Sequence, residues 1–126
     1  MKFHLLISFF LILISCQSNY KQEGNQNDAY SFYVGTYTND GSEGIYKYSL
    51  DKDGKIKQMG LAAKSENPSF LAWSADHKFP VAVNEINNEG PGTVEAFKVT
   101  DSVLKFINRQ SSGGAHPCHV AVNDNG

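Results

Sequence analysis

The 126-residue chain is poor in the residues that most often announce a function. It contains one arginine, Arg109, and its eleven basic side chains are outnumbered by thirteen acidic ones, for a net charge of −2. A nucleic-acid surface needs a clustered basic face, so that partner class is argued against. Cysteine occurs twice, at Cys16 and Cys118. The group His116-Pro-Cys-His119 matches no common zinc spacing, and in an extended segment positions 116 and 118 share a face that 119 does not. No metal is therefore expected. Gly113-Gly114 lacks the lysine and helix of a phosphate-binding loop, and no cofactor is expected. The apolar run from Phe3 to Ile14 is too short to span a bilayer as a helix. Past residue 29 no segment carries a 3.6-residue apolar period, which argues against helices.

What is present starts at the N-terminus. Lys2 followed by the short apolar run reads as an export signal over residues 1–15. Leu13-Ile14-Ser15-Cys16 resembles the bacterial lipobox, with an aliphatic residue three before the cysteine and a small one just before it. That resemblance implies lipidation of the Cys16 thiol, membrane attachment through it, and an exported, membrane-anchored lipoprotein on the periplasmic or cell-surface side. Two or more acyl chains suffice for stable anchoring. With Cys16 so used, Cys118 has no intrachain partner for a disulfide. Residues 16–29 are polar and without apolar period, as expected of a tether.

From Tyr30 onward short alternating or β-rich runs are bounded by turn residues. They predict strands at Ser31–Tyr37, Gly44–Leu50, Ser69–Ser74, Phe79–Glu85 and Thr93–Val99, with weaker ones at Ile56–Ala63 and Leu104–Arg109. Asn39-Asp-Gly41, Asp51-Lys-Asp-Gly54 and Asn88-Glu-Gly-Pro-Gly92 supply turn chemistry between them. Self-comparison lays Asn67-Pro-Ser-Phe-Leu-Ala72 over His116-Pro-Cys-His-Val-Ala121, 49 residues apart. At nearly the same offset Tyr33-Val-Gly-Thr36 falls on Ala82-Val-Asn-Glu85, and Ile45-Tyr-Lys-Tyr48 on Val94-Glu-Ala-Phe97. A repeat of this length with about four short strands is the signature of a β-propeller blade. The expected fold is all-β, with residues 30–126 forming roughly two and a half blades of a propeller that closes with four to eight. The stretch after Gly114 is expected to begin the inner strand of a third blade.

Taken in order, several groups of residues carry a family resemblance. They are Tyr33-Val-Gly-Thr-Tyr-Thr38 with Gly41-Ser-Glu-Gly-Ile-Tyr-Lys-Tyr48, Asn67-Pro-Ser-Phe-Leu-Ala72, Val83-Asn-Glu85 with Gly92-Thr-Val94, and Gly113-Gly-Ala-His-Pro-Cys-His-Val120. The series resembles the opening of the lactonase family of seven-bladed propellers, which includes propeller-type 6-phosphogluconolactonases. The resemblance implies hydrolysis of a sugar-derived lactone in a central channel, using histidine, glutamate and arginine side chains, several from later blades. It also implies that the chain is an N-terminal portion of such a propeller. An exported location favours an unphosphorylated lactone. A propeller that binds carbohydrate or protein without catalysis, and a fragment inactive by itself, are the alternatives.

Lactone hydrolysis needs a base near neutrality and donors for a developing oxyanion. Histidine is the natural base, so His119 and His116 are the catalytic candidates, in a loop entering an inner strand. Against this, Pro117 would fix a turn in which an imidazole merely satisfies a carbonyl. Glu85, at the end of an apolar strand, is a candidate for binding a substrate hydroxyl, the alternative being a solvated strand end. Arg109 is a candidate for pairing with an anionic substrate, the alternative being a surface arginine. Cys118 stands where the earlier repeat has Ser69, which suggests packing rather than reactivity, and Phe70, Trp73, Tyr46 and Tyr48 are read as packing between blades.

Overall fold

The computed structural model describes residues 29–86, 90–101 and 103–124. The signal and all but the last residue of the tether, Cys16 included, lie outside them. The described residues form seven strands: β1 (Tyr30–Gly35), β2 (Gly44–Leu50), β3 (Ile56–Lys64), β4 (Phe70–Trp73), β5 (Pro80–Asn84), β6 (Thr93–Val99) and β7 (Leu104–Ser111). They make two antiparallel sheets, one ordered β1-β2-β3 and one β4-β5-β6-β7. The second is a four-stranded meander of the kind expected for one blade, and the first holds three strands of another. No helix of the described residues is long and apolar enough to cross a membrane.

Turn chemistry sets the ladders. Between β2 and β3, Asp51 Oδ1 accepts from the amides of Asp53 (3.0 Å) and Lys55 (2.8 Å), and Gly54 takes a positive φ of 79°. An aspartate folding back on its own backbone is what makes that tetrapeptide a turn. Between β4 and β5, Ser74 and Asp76 close the loop side chain to side chain at 2.7 Å. Asp76 also pairs with the Lys78 ammonium at 3.1 Å and accepts from the Lys78 amide, and these bonds, Ser74 first, lower its carboxyl to about 2. The core lies between the sheets, where Ile45 and Ala62 of the first meet Ala82, Phe97 and Leu104 of the second. Phe97 and Ile45 are fully buried, and each contributes about 1.5–3 kcal/mol by leaving water.

The ladders refine the repeat. Gly35 pairs with Ile45, while Val83 pairs with Val94. With Ile45 and Val94 equivalent, Gly35 corresponds to Val83, Thr36 to Asn84 and Tyr37 to Glu85. The sequence overlay of Tyr33–Thr36 on Ala82–Glu85 is thus corrected by one residue, and the extra residue lies in the loop between β5 and β6. A second adjustment lies at the blade-to-blade turns. Lys64 opposes Gly44 and Ser111 opposes Thr93 at the ends of equivalent ladders. Asn67 comes three residues after Lys64, but His116 comes five after Ser111, so Gly113-Gly114 fills a longer turn. The segment expected to start a third inner strand, residues 116–124, forms no strand, because no neighbouring strand among the described residues pairs with it.

Candidate active site at the blade-to-blade turns

Asn67 and His116 both adopt left-handed backbone, with φ of 42° and 50°. This conformation is unusual for side chains with a Cβ, and asparagine tolerates it best. Each is followed by a proline seated against a glycine. A Cβ on Gly35 would stand 1.8 Å from the Pro68 carbonyl oxygen, and one on Gly92 would stand 2.1 Å from Pro117 Cδ. The two turns therefore share a bend, and each packs on a glycine, at the end of β1 for the first and just before β6 for the second, where a side chain would clash.

The first turn is anchored by Asn67. Its Oδ1 accepts from the amide (2.8 Å) and hydroxyl (3.1 Å) of Thr38, just past β1. Its carbonyl accepts from the amides of Ser69 (2.8 Å) and Glu85 (3.0 Å). Around this anchor Tyr37 donates from its hydroxyl to Glu85 Oε2 at 2.8 Å. Tyr37 is 56% exposed, so the pair faces solvent. Ser69, with Oγ buried, lies beside them and is the first cause holding the Glu85 carboxyl below the ordinary carboxylate range. The Tyr37 bond and the nearby His116 act in the same direction, while burial opposes them. Tyr37 is correspondingly raised above the usual phenol range, first by its bond to Glu85 and then by burial. Glu85 is therefore an ionised acceptor at neutral pH.

These groups line a pocket of about 340 Å³ whose wall includes Tyr37, Asn39, Asn67, Glu85 and His116. The structure thus brings together two of the four polar residues singled out from sequence, Glu85 and His116. His119 is exposed and stands apart, its ring on Phe70 with centroids 4.4 Å apart. Phe70 is its own counterpart one repeat earlier. Cys118 is a free, exposed thiol. No group of three or more acidic, histidine or cysteine side chains able to hold a metal occurs among the described residues.

Arg109 is committed elsewhere. Its Nε donates to Glu95 Oε1 at 2.9 Å, and its Nη2 pairs with the same oxygen. Glu95 is 1% exposed, and its Oε2 accepts from Ser65 Oγ at 2.5 Å. Asn84, equally buried, donates to Ser65 Oγ (2.8 Å) and the Glu66 carbonyl (2.7 Å) and accepts from Thr93 Oγ1 (2.9 Å). This network bolts the end of the first sheet to the second. A buried carboxylate needs such a full set of partners.

Tyr37, Ser69 and the anchor Asn67 were not selected from sequence, nor was Glu95. Glu95 had a readable signal, since alternation in Thr93-Val-Glu-Ala-Phe97 puts it in phase with the buried Phe97. Tyr37 had one only through the corrected register, which makes it the counterpart of Glu85.

Comparison with known proteins follows the same lines. The family described as Lactonase, 7-bladed beta-propeller, matches residues 31–126. A 6-phosphogluconolactonase of Bacillus subtilis is 39% identical over 98 residues, covering 75% of this chain and 28% of its own length. Among solved structures, a candidate 6-phosphogluconolactonase from Bacteroides fragilis superimposes with a TM-score of 0.69 at 33% identity, over 78% of this chain and 28% of that one. The periplasmic gluconolactonase of Pseudomonas aeruginosa gives a TM-score of 0.65 at 31% identity, over 71% of this chain and 26% of that one. The chain spans under a third of the length of each of these relatives.

Proposed function

Since the chain belongs to the seven-bladed β-propeller lactonases, we propose that its blades serve a propeller that hydrolyses a sugar-derived lactone, in the manner of the 6-phosphogluconolactonases. The observation that carries the reading is the pocket joining ionised Glu85, hydrogen-bonded to Tyr37, with the imidazole of His116. Water must lose a proton as it attacks the lactone carbonyl, and an imidazole is suited to take it near neutrality. Glu85 and Tyr37 together present acceptors to substrate hydroxyls. His119, beside the exposed ring of Phe70, remains a second candidate base from the same turn. Arg109 is turned to Glu95, so the group of Glu85, Tyr37 and His116 carries the reading without it.

We further infer an exported lipoprotein anchored through Cys16. The lipobox-like Leu13-Ile-Ser-Cys16 supports this, as does the likeness to a periplasmic gluconolactonase. Metabolic labelling with a palmitate analogue tests it: label is expected on the wild type and absent from Cys16→Ala.

The activity is tested on the protein translated from the complete reading frame, by following acid release from gluconolactone and its 6-phosphate against the spontaneous rates. Acceleration of the unphosphorylated lactone is expected, with a loss of about 100-fold or more in His116→Ala, the scale of a lost general base. No acceleration of either lactone would overturn the reading and favour a binding propeller.

A further inference from the structure

We propose that Asn67 is a positioning residue, whose simultaneous grip on the exits of β1 and β5 sets the Tyr37–Glu85 pair; the catalytic value of that pair rests on the lactone reading above. The exits belong to different sheets, and 48 residues separate Tyr37 from Glu85. Neither loop by itself fixes where the other's side chain falls. Asn67 bonds to both. On the β1 side, Oδ1 takes the Thr38 amide and hydroxyl, and the Asn67 amide donates to Thr38 Oγ1 at 3.3 Å. On the β5 side, the Asn67 carbonyl takes the Glu85 amide, and Nδ2 donates to the Glu85 carbonyl at 3.4 Å. The same carbonyl holds the amide of Ser69, the residue whose hydroxyl lies against Glu85.

Each member of the Tyr37, Glu85 and Ser69 group is thus either held by Asn67 directly or adjacent in sequence to a residue that is. The residue type matters. The position needs left-handed backbone, a short acceptor reaching Thr38 and a donor reaching Glu85, and asparagine meets all three. At the equivalent bend, His116 keeps the left-handed backbone, but its backbone bond is a different one, its amide donating to the Ile86 carbonyl at 3.1 Å, and its side chain is exposed.

The test uses the protein from the complete reading frame and has a readout separate from turnover. Asn67→Gly suits the backbone and deletes the amide. The phenol at 37 is titrated by ultraviolet difference absorbance, each variant against its Tyr37→Phe partner. In the wild type it is expected to titrate above the ordinary phenol value of about 10, and in Asn67→Gly to move down toward it as the bond to Glu85 loosens. The value of kcat/KM for gluconolactone is expected to fall about tenfold. An unchanged Tyr37 titration overturns the assignment whatever activity does. A shifted titration with lactone turnover absent from the wild type upholds the positioning role and sinks the lactone reading alone. Should Asn67→Gly fail to fold, Thr38→Val removes part of one grip and decides by the same titration: a lower value supports the role, an unchanged one overturns it.

Discussion

The turns at Asn67-Pro68 and His116-Pro117 share a backbone bend and a proline seated on a glycine, yet they spend their side chains in opposite ways. At the first, Ser65 reaches across to buried Glu95, and Asn67 joins two sheets. At the second, Ser112, which occupies the ladder position of Ser65, turns its hydroxyl back onto the carbonyls of Gly92 and Gly114. Gly113-Gly114 lengthen the loop, and His116 offers its imidazole to the pocket. A common scaffold is thus cross-linked at one joint and presents chemistry at the other.

The largest expected break in this contrast is Glu95→Ala. It strips partners from Ser65, Asn84 and Arg109 at once and is expected to cost about 3 kcal/mol, near the low end for breaking a buried pair because Arg109 is half exposed. Urea midpoints measure it. At the second joint, Ser112→Ala should cost no more than about 1 kcal/mol, and equal losses would erase the distinction.

The glycine seats come next. Gly35→Ala and Gly92→Ala are each expected to destabilise by about 2 kcal/mol through overpacking. Gly35→Ala should cost more, because it meets the Pro68 backbone carbonyl whereas Gly92→Ala meets the Pro117 ring. Equal urea midpoints for the two would contradict that ranking.

A smaller effect, with opposite signs at the two bends, separates the residues themselves. Asn67→Gly should lose about 1 kcal/mol with its hydrogen bonds. His116→Gly should gain up to about 1 kcal/mol by relieving left-handed strain. Thermal melts of the two variants side by side reveal whether the signs differ.

The smallest effect is in the pH dependence of stability, and it tests whether the first joint holds Tyr37 to Glu85. Glu85 titrates below its usual value in the folded state, so its contribution is present above the ordinary carboxylate range and is lost as pH falls through the folded value. Tyr37 is shifted upward, so its contribution is complete below the ordinary phenol range and is lost as pH rises through the folded value. Tyr37→Phe should flatten melting temperature against pH at the alkaline end and only partly at the acid end, where Ser69 still acts on Glu85, and an unaltered profile would show that the bond carries no linkage.

Local pattern reached as far as the strands and the repeat. Thr93–Val99 and Gly44–Leu50 coincide with their predicted bounds because both alternate and are closed by turn residues. The predicted strands at Ser31–Tyr37 and Phe79–Glu85 overshoot, since Tyr37 and Glu85 leave the ladder to meet one another. That meeting joins residues far apart in sequence, and nothing local specifies it. Asn67 looked the plainer of the two repeat-related residues because its bonds go to Thr38 and Glu85, distant in sequence, which composition does not display. Arg109 looked available because its partner, Glu95, was read only as a strand residue.

The one-residue slip between β1 and β5 and the two extra glycines before His116 fall in loops, and both loops reach the pocket region. The sheets keep their ladders on either side of each change. Length therefore varies at the rim, as it also does in the outer strands, where β3 holds nine residues and β7 eight. A designer could lengthen or shorten these loops to reshape what the pocket admits without renegotiating the fold, and the two repeats already stand as a pair of such variants within one chain.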